Sequence, residues 1–166
     1  MIAPLTALPA IVVAPICPPS PDGWMYANWH WRMLGDLTRE VLVTYRVDPA
    51  QRAVTGFSMG GSGAWELPFH EPDLFTRVGV IAGVCHPWSL RHFPKIPVWV
   101  FVGAQDYMQK EQRETVSSAR RFDVDVVETI VAGADHGGIY RYAREYDPLL
   151  QWLAGKGERV SGTLGE

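Results

Sequence analysis

The chain has 166 residues, of which 47% are apolar and 20% are charged, a balance that suits one packed domain. Its formal net charge of −3 argues against the broad positive field that binding to nucleic-acid phosphates requires. The longest apolar stretch, residues 8–16, is shorter than the roughly 20 residues of a membrane-spanning helix, and two prolines interrupt it. We therefore expect neither a nucleic-acid partner nor a membrane span.

Cysteine content and the N-terminal pattern predict a cytoplasmic location. The two cysteines, Cys17 and Cys85, could form at most one bridge, so we interpret both as free thiols in a reducing compartment. The N-terminus shows no basic leader with a continuous apolar run, and no secretion signal is indicated. No repeat or linker divides the chain, so we predict a single domain over residues 1–154. Residues 155–166 are polar and glycine-rich and are expected to form a flexible tail.

Short β-branched runs alternate with longer amphipathic runs along the chain. The runs predicted as strands are residues 10–14, 52–57, 77–82, 97–102 and 124–131. The runs predicted as helices are residues 26–45, 59–70, 110–122 and 138–153. Pro68 is expected to end the second helix near Leu67, because proline removes a backbone hydrogen bond. The alternation predicts an α/β fold with a mainly parallel sheet.

The junction between the second predicted strand and the second predicted helix has the sequence Gly56-Phe57-Ser58-Met59-Gly60. A Gly-x-Ser-x-Gly pattern in this context is typical of the nucleophile elbow of serine hydrolases. We expect the two glycines to leave room for a sharp turn that exposes the hydroxyl of Ser58. The N–H of Met59 begins the helix, where the positive end of the helix dipole favours an oxyanion. Ser58 is therefore predicted as the nucleophile and Met59 as an oxyanion donor.

A serine nucleophile requires a histidine base and a carboxylate that fixes the tautomer of that histidine. Asp106 lies in the turn after an apolar strand, and His136 lies in a glycine-rich loop after the last strand. We predict these residues as the acid and the base. Asp123 and Asp135 stay open as alternative acids, although Asp135 adjoins the histidine, which makes a well-aligned bond to the same imidazole less favourable.

Other reactive or aromatic residues have weaker patterns. Cys85 and His86 could supply a thiol nucleophile or metal ligands, but two adjacent residues without further ligands favour core packing for Cys85. Trp24, Trp88 and Tyr107 are predicted as apolar walls of a pocket for an acyl or aryl group. Chemistry that uses only side chains and water needs no metal or cofactor, and we predict none.

Several segments together resemble a known group of proteins. They are Ile11-Val12-Val13-Ala14-Pro15, Val47-Asp48-Pro49, Gly56-Phe57-Ser58-Met59-Gly60-Gly61, Ala64-Trp65-Glu66-Leu67, Pro72-Asp73-Leu74-Phe75 and Ile96-Pro97-Val98-Trp99-Val100-Phe101. The chain looks like the small esterase, phospholipase and predicted-peptidase branch of the α/β hydrolases, relatives of feruloyl esterases and polyhydroxybutyrate depolymerases. The resemblance implies a shortened three-layer sandwich of about five strands with helices on both faces. It also implies ester hydrolysis through an acyl-enzyme, with Ser58, Asp106 and His136 at the positions of the triad of that branch.

The resemblance departs from the pattern of the branch at the front of the chain. Members of the branch carry an earlier strand with a His-Gly motif whose loop donates a second oxyanion hydrogen bond, and the printed sequence holds no such segment. Loss of one such donor costs about 2.7–4 kcal/mol of transition-state stabilisation, so we expect impaired activity. The missing strand would lie between residues 10–14 and the elbow strand. We expect residues 10–14 to pair directly with the elbow strand, and an exposed edge would then favour a homodimer.

Three functions are compatible with these observations. The first is a serine esterase that acts on small or aromatic carboxylic esters. The second is a truncated, weak or inactive hydrolase-fold protein that serves as a binding or structural module. The third is a serine peptidase, because the same residues can cleave amides.

Overall fold

The computed structural model describes residues 10–16 and 28–165 of the chain. Its strands are β1 (Ala53–Phe57), β2 (Arg77–Ile81), β3 (Val98–Gly103), β4 (Val126–Val131) and β5 (Gly162–Leu164). Its α-helices are α1 (Asn28–Thr44), α2 (Met59–His70), α3 (Gln109–Arg121), α4 (His136–Glu145) and α5 (Asp147–Leu153), and a 3₁₀ helix covers Ser89–His92. Strands and helices alternate along most of this order, as the sequence predicts for an α/β fold.

The five strands form one sheet in the order β1-β2-β3-β4-β5, and every neighbouring pair is parallel. Parallel strands need crossover connections, and in such sheets the helices cover both faces. β3 is buried along its whole length, as expected for a strand with a neighbour on each side and helices above and below it. The predicted parallel sheet of about five strands is confirmed.

The side chains of β3 alternate between two apolar clusters. Val98, Val100 and Val102 belong to the cluster on the face that α2 and α3 cover. Trp99 and Phe101 belong to the cluster on the opposite face, which α4 and α5 cover. Full burial of a large apolar side chain stabilises the fold by about 1.5–3 kcal/mol, so both layers of helices are firmly held. Because the strands are parallel, their carboxyl ends meet at one edge of the sheet, which is where the candidate site lies.

The prediction that residues 10–14 form a strand beside β1 is wrong. In the structure residues 10–16 are irregular and mostly exposed, with Ile11 52% and Ile16 92% accessible. A cavity of about 570 Å³, lined by residues 10–15, α1 and β1, lies between this segment and the sheet. A β-branched run forms a strand only where a neighbouring backbone completes the ladder, and no described segment pairs with residues 10–14. Among the described residues, β1 pairs with β2 alone.

The expected flexible tail contributes the fifth strand instead. β5 pairs with β4 in parallel, from Thr129 opposite Gly162 to Val131 opposite Leu164. Arg159 holds the segment before β5 by an ion pair to Asp125 at 2.7 Å and by hydrogen bonds to backbone carbonyl groups. The hydroxyl of Thr129 also donates to the carbonyl of Val160. These contacts lie far apart in sequence, so composition alone did not reveal them.

Two predicted helix boundaries also differ from the structure. α2 continues through Pro68 to His70, because the proline removes one donor close to the helix end and Glu71 N–H still donates to Leu67 at 2.9 Å. The predicted single helix over 138–153 is two helices that meet at Tyr146. Pro148 lies at the start of α5, where a missing N–H needs no partner. The same proline prevents one continuous helix through this position.

Within the part of the chain that the structure describes, no helix is long and apolar enough to cross a membrane.

Candidate active site

Ser58 lies at the turn between β1 and α2, above the carboxyl end of the sheet. Its backbone has φ 55° and ψ −116°, a left-handed conformation that costs a non-glycine residue about 1–3 kcal/mol. The N–H of Ser58 donates to the carbonyl of Ile81 at 2.9 Å, which ties the turn to the end of β2. The turn therefore holds the serine hydroxyl in one fixed, strained position.

Two glycines make this turn possible. They are Gly56 and Gly61, whereas the sequence motif indicated Gly56 and Gly60. A Cβ at Gly56 would lie 2.1 Å from the carbonyl oxygen of Gly60, so a side chain there would force the turn apart. A Cβ at Gly60 would meet nothing within 4 Å, so the prediction that the turn needs the room of a glycine at this position is wrong. The reason is that Gly60 borders the cavity beside β1. The second tight position is Gly61, where a Cβ would lie 2.7 Å from the carbonyl oxygen of Ile81.

Asp106 follows β3 in a short turn and is 5% exposed. Its Oδ1 accepts a hydrogen bond from the Met108 N–H at 2.8 Å, and its Oδ2 accepts one from Nε2 of Gln112 at 3.0 Å. The same Oδ2 lies 2.8 Å from Nδ1 of His136. These donors hold the buried carboxylate in one orientation.

His136 connects Asp106 to Ser58. Its Nε2 lies 2.9 Å from Oγ of Ser58, while its Nδ1 faces Asp106. Because a carboxylate only accepts hydrogen bonds, Nδ1 carries the ring proton, and Nε2 is left to accept from the serine hydroxyl. The structure thus brings the predicted serine, acid and base into one hydrogen-bonded chain.

The alternative carboxylates have other positions. Oδ1 of Asp135 accepts from the N–H of Gly138 at 2.6 Å and caps α4, which fixes the backbone that carries His136. Asp123 follows the far end of α3 with φ 57°. Neither contacts the imidazole in the structure.

The N–H of Met59 begins α2 directly after Ser58. The first N–H groups of a helix have no partner inside the helix, and they point along the positive end of its dipole. The Met59 side chain is 41% exposed, so solvent reaches this end of the helix. The position of the Met59 N–H at the start of α2 is compatible with its predicted role as a donor to an oxyanion.

Two aromatic rings lie beside His136. The rings of Phe57 and Tyr107 lie 4.9 and 4.7 Å from its imidazole, and Tyr140 lies 5.0 Å from Phe57. Tyr107 is 76% exposed and lies beside His136, while its role as a pocket wall stays a prediction. Phe57 and Tyr140 were not predicted, because the middle position of the serine motif and a tyrosine inside a helix carry no catalytic pattern.

The other two predicted wall residues do not join this group. Trp88 is 65% exposed and faces Phe122, just beyond the end of α3 that is remote from Asp106. The prediction that Trp88 lines the site is therefore wrong, since the 83–93 loop runs down along α2 and away from Ser58. Trp24 lies outside the described residues.

Gln112 is a further residue that the sequence analysis missed. It is fully buried on α3, in a stripe with Thr115, Val116 and Ala119. A polar amide on the buried stripe of a helix was the available signal, because such a group needs a polar partner.

The burial of Cys85 favours core packing over a role as a nucleophile. Burial raises the pKa of its thiol, and the charge of the neighbouring Glu66 carboxylate raises that pKa further. Its Sγ lies 3.5 Å from Oε1 of Glu66, so the thiol donates rather than ionises. Within the described ranges 10–16 and 28–165, no group of three or more His, Cys, Asp and Glu residues is arranged to hold a metal ion.

One protein family matches most of the chain. The model of the Esterase family, described as "Putative esterase", matches residues 11–141. This range includes Ser58, Asp106 and His136. A search of curated proteins gives no match.

Solved structures of esterases and related hydrolases share the fold. A thermostable esterase is 25% identical, with a TM-score of 0.66 over 74% of this chain and 35% of its own. S-formylglutathione hydrolase from Staphylococcus aureus is 13% identical, with a TM-score of 0.64 over 79% of this chain and 63% of its own. A ferulic acid esterase is 18% identical, with a TM-score of 0.58 over 74% of this chain and 59% of its own. The α/β-hydrolase fold and the esterase branch are thereby confirmed, and the chain spans between about a third and two thirds of the length of these proteins.

Proposed function

The chain belongs to the Esterase family, whose model matches residues 11–141, and on that premise we propose that it is a serine hydrolase that cleaves carboxylic esters through an acyl-enzyme. One observation carries the proposal. Nε2 of His136 lies 2.9 Å from Oγ of Ser58 while Nδ1 lies 2.8 Å from Asp106. A nucleophile, a base and an orienting carboxylate in this relation are the arrangement that activates a serine hydroxyl.

In the acylation step Oγ of Ser58 attacks the ester carbonyl carbon and Nε2 of His136 takes the hydroxyl proton. Asp106 stabilises the imidazolium that forms, and the Met59 N–H donates to the oxyanion of the tetrahedral intermediate. His136 then protonates the leaving alcohol, and Ser58 is left as an acyl ester. Water activated by the same imidazole hydrolyses that ester and restores the serine.

The local electrostatics support this sequence of steps. Asp106 is buried and lies 2.8 Å from the imidazole, so its negative charge acts on His136 with little screening by solvent. Ser58 is held in a strained backbone conformation, which points its hydroxyl in one direction. Among the described residues we name the Met59 N–H as an oxyanion donor, and one donor of this kind contributes about 2.7–4 kcal/mol of transition-state stabilisation.

We propose a small-molecule ester as the substrate. The site opens at the carboxyl edge of the sheet, where Tyr107 presents an exposed ring beside His136. Apolar rings bind acyl or aryl groups, whereas the hydrogen-bonded chain of Ser58, His136 and Asp106 acts on the carbonyl. The hydrogen-bonded geometry favours turnover over a role as an inert binding module.

Labelling and turnover test the proposal together. The purified protein should react with a fluorophosphonate probe and hydrolyse 4-nitrophenyl acetate, and Ser58→Ala should abolish both signals. Ser117→Ala removes an exposed serine from α3 and serves as the control that keeps both. A wild-type protein that does neither contradicts the proposal. Turnover of a matched 4-nitroanilide in addition to the ester would instead indicate a peptidase.

The outer edge of β1 supports a homodimer. In the described part of the sheet β1 pairs only with β2, and an open strand edge favours pairing with another chain. Sedimentation velocity over a range of protein concentrations tests this. A monomer at every concentration would contradict the dimer without affecting the proposed chemistry.

A further inference from the structure

We propose that Gln112 is a positioning residue, whose side-chain amide holds the Asp106 carboxylate in the orientation in which it pairs with His136. The inference rests on the proposed serine hydrolase function. It assigns a role to a residue outside the serine, acid and base, and it makes α3 part of the site.

Gln112 reaches Asp106 from inside the core. It lies six positions after Asp106 and is 0% exposed. Its Nε2 donates to Oδ2 at 3.0 Å, and this is the oxygen that also accepts from Nδ1 of His136 at 2.8 Å. The Met108 N–H fixes the other oxygen at 2.8 Å. The carboxylate therefore has a donor from the backbone, one from α3 and one from the base.

The Gln112 amide is uncharged, so it can bond to the Asp106 carboxylate without neutralising it. Among the ion pairs of the described residues, Asp106 has the imidazole of His136 as its basic partner. A lysine or arginine at position 112 would cancel the carboxylate charge that the imidazolium needs. An amide restrains the same oxygen and leaves that charge available to His136.

The other end of the Gln112 side chain shows what its burial costs. Its Oε1 is buried and has no hydrogen-bond partner among the described residues. A buried polar atom without a partner destabilises the fold, and an apolar residue of the same length would avoid that penalty. The reverse orientation of the amide would place its oxygen against a carboxylate, so the donor must face Asp106. Gln112 is thus better explained by its bond to Asp106 than by core packing.

Gln112→Met keeps the side-chain length and removes the donor. Oδ2 then keeps His136 as a partner but loses its bond to α3, so the carboxylate holds the imidazole less firmly. We expect kcat to fall about tenfold with KM unchanged, because a hydrogen bond to a charged group is lost. The acidic midpoint of the kcat/KM profile, and the midpoint of the His136 signals followed by NMR, should differ from those of the wild type. The titratable groups that contact His136 in the structure are Asp106 and Tyr107, and the substitution alters neither.

Thr115→Val is the matched control. Thr115 is 2% exposed one turn further along α3, and its hydroxyl bonds to the backbone of Cys85 rather than to Asp106. This variant should lower the melting temperature and leave the pH profile and the His136 titration unchanged. An equal shift in both variants would overturn the inference.

A measurement on the wild-type protein keeps the inference testable if Gln112→Met does not fold. The side-chain amide signals of Gln112 should titrate with the same midpoint as the His136 ring signals, because both groups bond to one oxygen. An amide that does not respond overturns the inference. If the wild type neither labels nor turns over, the proposed function fails, whereas the NMR result still decides the role of Gln112.

Discussion

Nε2 of His136 lies 2.9 Å from Oγ of Ser58, although 78 positions separate the two residues. Ser58 follows β1 and His136 follows β4, and two other strands lie between β1 and β4 in the sheet. The loop before His136 crosses the end of β3, where the Gln105 N–H donates to Ala134 at 2.9 Å. A Cβ at Gly103 would lie 2.5 Å from the carbonyl oxygen of Ala134, so a glycine at the end of β3 lets the loop cross this closely.

Asp106→Asn should lower kcat for 4-nitrophenyl acetate by about 10⁴-fold with little change in KM. The amide that replaces the carboxylate can donate to Nδ1, which moves the ring proton to Nε2 and removes the base. Asp135→Asn is the control, because Asp135 caps α4 and does not touch the imidazole. We expect less than about a tenfold loss for this cap variant. Equal losses in the two variants would identify Asp135 as a second acid.

Gly56→Ala and Gly60→Ala should differ sharply, although both glycines belong to the same motif. A Cβ at position 56 would lie 2.1 Å from the Gly60 carbonyl oxygen, whereas a Cβ at position 60 would meet nothing within 4 Å. We expect Gly56→Ala to lose about 1–3 kcal/mol of unfolding free energy and all detectable turnover. Gly60→Ala should be neutral or gain up to about 1 kcal/mol, since alanine favours the helix. Chemical denaturation with probe labelling measures both, and equal effects would contradict the structure of the turn.

The sequence was most informative where a local pattern carries a geometric requirement. The motif around Ser58 predicted a strand followed by a helix, and Asp106 and His136 follow later strands whose carboxyl ends meet at the same edge. The structure brings these three side chains into contact, while their catalytic roles stay a prediction. The sequence did not predict a role for Gln112, because its partner Asp106 lies across a turn and an amide in a helix has no characteristic spacing.

Strand pairing explains the errors at the two ends of the sheet. Residues 10–14 have the composition of a strand, but a strand needs a neighbouring backbone, and the cavity beside β1 separates them from the sheet. β5 has the composition of a loop, but non-local contacts of Arg159 and Thr129 bring it to β4. Composition describes one chain segment, whereas a parallel ladder depends on two segments.

Tyr107→Ala should affect aryl esters more than acetyl esters of small alcohols. The exposed ring lies 4.7 Å from His136, where it can stack against an aromatic group bound at the site. Aromatic pairs contribute about 0.5–1.5 kcal/mol, so KM for an aryl ester should rise about two- to tenfold. KM for methyl acetate should change little. Trp88→Ala is the control, because Trp88 is also exposed but faces Phe122.

If both aromatic variants raise KM equally, or if Tyr107→Ala leaves KM for aryl esters unchanged, Tyr107 does not bind the substrate. A loss in kcat alone would instead indicate that the ring orients His136.

Arg159→Met should release the C-terminal segment from the sheet. The side chain of Arg159 is 16% exposed, pairs with Asp125 and donates to the carbonyls of Val98 and Asp125. Charge-assisted hydrogen bonds of this kind are worth about 1.5–3 kcal/mol, and we expect a loss within that range. Hydrogen exchange at β5 should accelerate while exchange at β2 stays slow. Glu158→Ala, at the exposed neighbouring position, is the control and should leave both unchanged.

Cys85 should make the folded protein lose stability at alkaline pH. Burial and the charge of Glu66 raise the pKa of the Cys85 thiol in the folded state, whereas a thiol in the unfolded chain titrates near about 8.5. Above about pH 8.5 the unfolded chain therefore binds fewer protons than the folded one. The unfolding free energy should fall by up to about 1.4 kcal/mol per pH unit in that range and be independent of this group below it.

Cys85→Ser isolates that contribution, because a serine hydroxyl can still donate to Glu66 but does not titrate. The difference in unfolding free energy between wild type and Cys85→Ser, measured by urea denaturation, should be constant from about pH 6 to 8 and shift in favour of the variant above about pH 8.5. Iodoacetamide should label Cys85 at the same pH only after urea unfolds the protein. Rapid labelling of the folded protein, or parallel pH dependences of the two proteins, would show that the thiol is accessible and that neither burial nor Glu66 suppresses its ionisation.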